Sequence, residues 1–271
     1  MLQNALRVGF GVSIATLVPV VGITLLSLGG LAAEPPGPGK PAESAALSSD
    51  TGKQDDGNDG EEVPGRDVAS DKQESGNNLR QIGLGLVKYM DEHGHFPTAA
   101  ICDKNDKPLL SWRVAILPFL DAGDLYKEFK LHEPWDSKHN KTLLAKMPAV
   151  YKAPGIITRK PHGTYYQVIV GKGAMFDGFI ELHIRDVHDG TANTILAVEA
   201  QRPVPWTKPE DLKYDADKPL PKLGGVFTDG FTFFTVDGTL HFCRNGFDER
   251  KMRAAITRAG GERIDIDNLQ P

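Results

Sequence analysis

Cysteine is scarce in this chain: Cys102 and Cys243 are the only two among 271 residues, and they stand far apart. With no close-set pair, a cysteine-ligated zinc ribbon and a dithiol redox centre are both excluded. Two readings of the cysteines remain open, a disulfide in an oxidising compartment or two partly buried thiols. Charge is missing from residues 8–33, and aromatic residues are missing from 34–76. The sequence also has no Gly-x-Ser-x-Gly elbow, no His-Glu-x-x-His and no glycine-rich phosphate loop, so nothing in it marks an enzyme or a resident cofactor. Gly171-Lys172-Gly173 lacks the further glycine and following helix of a dinucleotide fingerprint and reads as a turn.

What is present divides the chain in three. Residues 1–33 hold a long run of Val, Ile, Leu, Ala and Gly behind Arg7. The run is long enough to cross a bilayer, but Pro19 and many small residues, with Ala32 and Ala33 at its end, equally suit a cleaved signal peptide. Either way an exported protein is expected, anchored in the membrane through its N-terminus or released to the periplasm. Residues 34–76 carry eleven Asp or Glu against four Lys or Arg. With so little to bury, this stretch reads as a disordered acidic linker. The whole-chain charge of −5 belongs to that linker. Residues 77–271 are left near neutral and offer no basic face for nucleic acid.

The third part reads as an α+β domain. Leu79, Ile82, Leu86, Val87 and Met90 place an amphipathic helix over 77–93, stopped by Gly94 and Pro97. Ser111 caps a helix through Trp112, and short helices are expected at Asp124–Phe129 and Lys138–Lys146. From Gly163 the period changes to two, giving strands at Tyr165–Val170, Ile180–Arg185 and Thr194–Glu199. Phe231–Val236 and Thr239–Cys243 flank the hairpin turn Asp237-Gly238. A last helix is capped by Asp248. Helices followed by an antiparallel sheet make the α+β class.

Few residues invite chemistry. Asp186, His188 and Asp189 would crowd the end of the strand carrying His183, where a divalent ion could sit, although the carboxylates also suit a plain turn. Asp103-Lys104-Asn105-Asp106 starts like a calcium loop but lacks its glycine and glutamate. His93 and His95 suit the C-terminal dipole of the first helix. Gln201–Leu223 reads as a long proline-rich loop, in which Trp206 either contacts a glycan or protein partner or folds back over the core. Arg250, Lys251, Arg253 and Arg258 read as a solvated face.

Four longer motifs carry a resemblance. They are Asn77-Asn78-Leu79-Arg80-Gln81-Ile82-Gly83-Leu84, Lys107-Pro108-Leu109-Leu110-Ser111-Trp112-Arg113-Val114, Asp189-Gly190-Thr191-Ala192-Asn193-Thr194 and Val204 through Leu212. With these the chain resembles, over residues 75–262, the bacterial prepilin-like family catalogued as domain of unknown function 1559. The resemblance implies a pilin-like helix on an antiparallel sheet in an exported protein, and no enzyme activity. Two departures accompany it. Ile14 stands where the prepilin glutamate follows Gly9-Phe10, and Phe227 stands where relatives often carry a His separated by nine residues from the Asp-Gly that is Asp237-Gly238 here. The expectation is a non-enzymatic cell-envelope module on a flexible tether, structural or adhesive, with a soluble periplasmic carbohydrate- or small-solute-binding protein as the alternative.

Overall fold

The computed structural model describes residues 60–62 and 64–271, Arg159 excepted. The expected signal or anchor, 1–33, and the acidic tract up to residue 59 lie outside the described residues. In chain order the strands are β1 (Gly60–Glu62), β2 (Ala100–Cys102), β3 (Pro108–Ser111), β4 (Ile156–Thr158), β5 (Gly163–Gln167), β6 (Ile169–Val170), β7 (Ile195–Pro205), β8 (Leu212–Lys213), β9 (Gly230–Thr235) and β10 (Leu240–Arg244). The α-helices are α1 (Val68–His93), α2 (Trp112–Ala115), α3 (Gly123–Glu128) and α4 (Glu249–Ile256).

Helix α1 begins at Val68, well before the expected start at Asn77. The Asp67 carboxylate accepts from the backbone N–H of Ala69 and Ser70, satisfying two of the donors a helix start leaves open. Residues 68–76 therefore belong to this helix and not to the predicted linker. Its other end matches expectation: Gly94 adopts φ 81° and its N–H reaches the Met90 carbonyl at 2.7 Å.

The antiparallel sheet runs β10-β9-β7-β5, and the run Phe231-Thr232-Phe233-Phe234 shows how it is covered. Phe234 packs with Leu79, Ile82 and Leu86 of α1. Phe231 and Phe233 point the other way, into a second cluster with Met252, Ala255 and Ile256 of α4. The period of two thus separates two apolar faces, each lidded by a helix. Close approach of α1 depends on Gly83, where a Cβ would run into the Phe234 ring.

Two sequence expectations fail here. Ile180–Arg185 is not a strand: only a short 3₁₀ turn, Ile184–Asp186, forms there. Alternation alone cannot make a strand without a neighbour to pair with, and Ile180 and Ile184 stay exposed. The loop expected from Gln201 is shorter, because β7 runs on to Pro205 and pairs with Gly163 and Thr164 of β5. Pro203 and Pro205 are tolerated because β9 pairs only with the first part of β7.

A groove built by two sequence motifs

The fold brings the motif around Ser111-Trp112-Arg113 against the one ending in Pro209-Glu210-Asp211-Leu212. Ser111 caps α2 by accepting from the Arg113 N–H, and its own N–H reaches the Thr207 carbonyl at 3.0 Å. Arg113 and Asp211 then form an ion pair closed to water, with Arg113 Nη2 donating to Asp211 Oδ1 at 2.6 Å. The same oxygen accepts from Trp112 Nε1 at 3.2 Å and from the Val168 backbone N–H at 3.0 Å. Arg113 also donates to the Tyr166 carbonyl and to Ser111 Oγ. Burial pushes the Asp211 carboxyl upward, and the guanidinium pulls against it. Each side-chain nitrogen of Arg113 and each carboxylate oxygen of Asp211 has a partner, as a buried charge pair requires.

The Val168 and Val170 carbonyls accept from Leu212 and Tyr214, setting β6 beside β8. On the solvent side of this junction lies a groove of about 500 Å³. Ala99, Ala100, Pro108, Val170 and Phe179 give it apolar walls, and Lys208, Glu210 and Lys213 stand at its rim. Lys208 pairs with Glu210 and lies 5.8 Å from the Trp135 ring centre. The shape and mixed lining suit a small molecule with an apolar body and a polar end.

The expected site residues lie elsewhere. Trp206 is fully buried, stacked on Tyr151 with ring centres 5.7 Å apart, and its Nε1 donates to the Leu144 carbonyl. Its role as an exposed contact for a glycan or partner is overturned; an amphipathic ring filling a core gap with its one donor satisfied is a packing element. Asp186, His188 and Asp189 do not assemble into a site. Asp186 accepts from the His183 N–H, while both Asp189 oxygens accept from the N–H groups of Gly260 and Gly261. Among the described residues no group of three or more His, Cys, Asp or Glu is placed to hold a metal ion. Cys102 and Cys243 are both free, which overturns the disulfide reading. Cys102 lies on the β2–β3 hairpin and Cys243 on the edge strand β10, buried in the α4 cluster.

Asp237 and Gly238 make the β9–β10 turn as expected. Gly238 has φ 93°, and Asp237 accepts from the Thr235 and Thr239 side chains. That turn meets the motif of residues 189–194 through Asp237 N–H to the Thr191 carbonyl. Asp103 accepts from the Asn105 and Lys107 N–H groups in an ordinary surface turn. At Gly171 a Cβ would strike the Tyr214 carbonyl, so Gly171-Lys172-Gly173 serves packing. These residues are more than a solvated face: Arg253 of α4 donates to the Ala216 and Lys218 carbonyls, and Arg258, past the end of α4, to the Ala174 carbonyl.

Sequence reasoning missed both buried carboxylates, Asp211 and Glu199. Glu199 is fully buried on β7, held by Ser75 of α1 and by the Thr232 N–H at 2.7 Å, and it forms no ion pair among the described residues. Burial pushes its carboxyl up. Tyr166 lies 2.8 Å from Ser75 Oγ and completes the chain. The available signals were an Arg inside the apolar run Trp112–Val114 and a Glu inside the apolar strand of Leu196–Ala200.

Compared with known proteins, residues 72–225 match the model of a family described as protein of unknown function (DUF1559). No curated protein and no solved structure gives a significant match.

Proposed function

We propose, from the premise that this chain belongs to the DUF1559 family, that it is a non-enzymatic, exported module of the cell envelope that binds a small solute in the groove beside Asp211. The observation that carries this reading is the groove itself, about 500 Å³ of mixed apolar and charged surface on walls fixed by the Arg113–Asp211 pair. Its volume falls in the range of small-molecule sites, and fixed walls spare a ligand the entropy of ordering them. All its lining residues lie within the matched stretch. The uncharged apolar run of residues 8–33 supports export.

A thermal-shift screen of the full chain against mono- and disaccharides and small amphipathic acids tests the reading. At least one compound is expected to raise the melting temperature, and Ala99→Leu, which narrows the groove, is expected to remove that shift. A screen without a single shift, a shift that survives Ala99→Leu, or recovery of the protein from cytosol on fractionation would overturn it.

A second reading, a pilin-like structural or adhesive domain displayed from the membrane, is favoured by α1 lying along the antiparallel sheet. Trp206 cannot serve as its contact residue, so any adhesive surface must be another.

A further inference from the structure

Helix α1 meets the sheet closely at Gly83 and leaves a gap one stretch earlier. Lys72, Gly76 and Arg80 follow each other at a spacing of four, so they share one face of α1. The strand side of this gap is Thr232 of β9 with Leu240 and Phe242 of β10, which point to the α1 side of the sheet. Gly76 contributes no side chain there, and the ideal Cβ position would sit 3.0 Å from the tip of Leu240. The result is a slot of about 470 Å³, lined also by Gln73, Asn77 and His241. Phe242 is left 45% exposed as its outer wall.

The charges around the slot are mostly accounted for. Lys72 is held between two rings, 5.7 Å from the centre of Phe227 and 5.3 Å from that of Phe242. One of its three N–H donors goes to Asp229. Phe227 thus serves as an apolar seat for this ammonium. His241 is tied to Asp267 at 2.8 Å and stacked on Phe233. Beneath the slot Glu199 is enclosed by Ser75 and Thr232. Arg80 is exposed and has no hydrogen bond or ion pair among the described residues.

We propose that this slot binds a small organic carboxylate, its charged end across Lys72 and Arg80 and its apolar, planar body between Phe242 and Leu240. Two cations with unused donors supply charge-assisted hydrogen bonds. An exposed ring beside a glycine-lined floor supplies the flat apolar surface that a planar body needs. The inference is independent of the Asp211 groove, since none of the slot's residues lines it.

Calorimetric titration of the full chain with phenylacetate, and with uncharged phenylacetamide as its isostere, tests the proposal. Phenylacetate is expected to bind, and phenylacetamide at least about tenfold more weakly. Arg80→Gln, a change at an exposed and unpaired residue, should weaken phenylacetate about fivefold. Gly76→Leu should abolish binding by filling the slot, and Lys213→Gln in the other groove should leave it unchanged. Absence of phenylacetate binding, equal binding of the amide, an Arg80→Gln variant that binds like wild type, or a loss on Lys213→Gln would each overturn the assignment.

Discussion

Asp211 and Glu199 are both withdrawn from water, and the fold answers the two buried carboxylates in different ways. Asp211 receives a full counter-charge, Arg113, plus the Trp112 and Val168 N–H groups. The hydrogen bonds to Glu199 come from neutral groups, the Ser75 hydroxyl and the Thr232 N–H, and the Lys72 charge acts on it only weakly, without an ion pair. A charge pair in low dielectric is rigid in its demands, because each partner is costly without the other. A carboxyl among hydroxyls can exist neutral and be served by rotating O–H groups. The first arrangement locks the walls of a groove; the second welds α1 to the sheet. The difference teaches that buried polarity does two jobs in one domain, and that only one of them depends on charge.

The largest effect should come from breaking the charged arrangement. Asp211→Asn replaces an acceptor oxygen by an amide that faces the guanidinium with its own N–H groups, leaving Arg113 as a buried unpaired cation. A loss of about 3–5 kcal/mol in unfolding free energy is expected from denaturant titration. Arg113→Met combined with Asp211→Leu should recover most of that loss, since both charges leave together. If Asp211→Asn unfolds at the wild-type denaturant concentration, the pair is not what fixes the groove.

The same contrast explains what could be read in the sequence and what could not. Local devices were legible because single residues carry them: Gly94 ends α1, Ser111 caps α2, Asp237-Gly238 turns the hairpin and Asp248 caps α4. The start of α1 was hidden because its buried face there consists of Ser75, Gly76 and Asn78. No apolar stripe exists before Leu79, and the acidic composition around it argues for disorder. Trp206 drew attention as an aromatic among prolines, whereas its neighbours in space, Tyr151, Phe129 and Leu144, are remote in sequence. The groove was illegible for the same reason. Its two motifs were visible as words, but only the fold sets Arg113 on Asp211.

A middle-sized effect is expected from Ser75→Ala. The change removes the donor to Glu199 and the partner of Tyr166, both in a site without water access. Leaving those groups unsatisfied should cost about 1–3 kcal/mol, even though alanine is the better helix former. Equilibrium unfolding measures it, and a neutral or stabilised variant would show that α1 is not held to the sheet through this serine.

The smallest effect, and the one that sharpens the comparison most, is expected from Glu199→Gln. The glutamine oxygen can keep the Thr232 N–H, and its amide can donate to Ser75 once that hydroxyl and Tyr166 rotate, so less than about 1 kcal/mol should be lost in the acid range. The consequence lies in pH dependence. Burial raises the Glu199 carboxyl above its value in the unfolded chain. Its contribution to stability is therefore complete below the unfolded value and is lost as pH rises through the raised one. Glutamine has no proton to lose, so the stability of Glu199→Gln relative to wild type should climb as pH rises out of the carboxylate range. Asp211 is present in both proteins and cancels in that difference. Two stability curves that stay parallel from acid to neutral pH would mean that Glu199 does not titrate differently on folding, and the distinction between a charged clamp and a neutral weld would collapse.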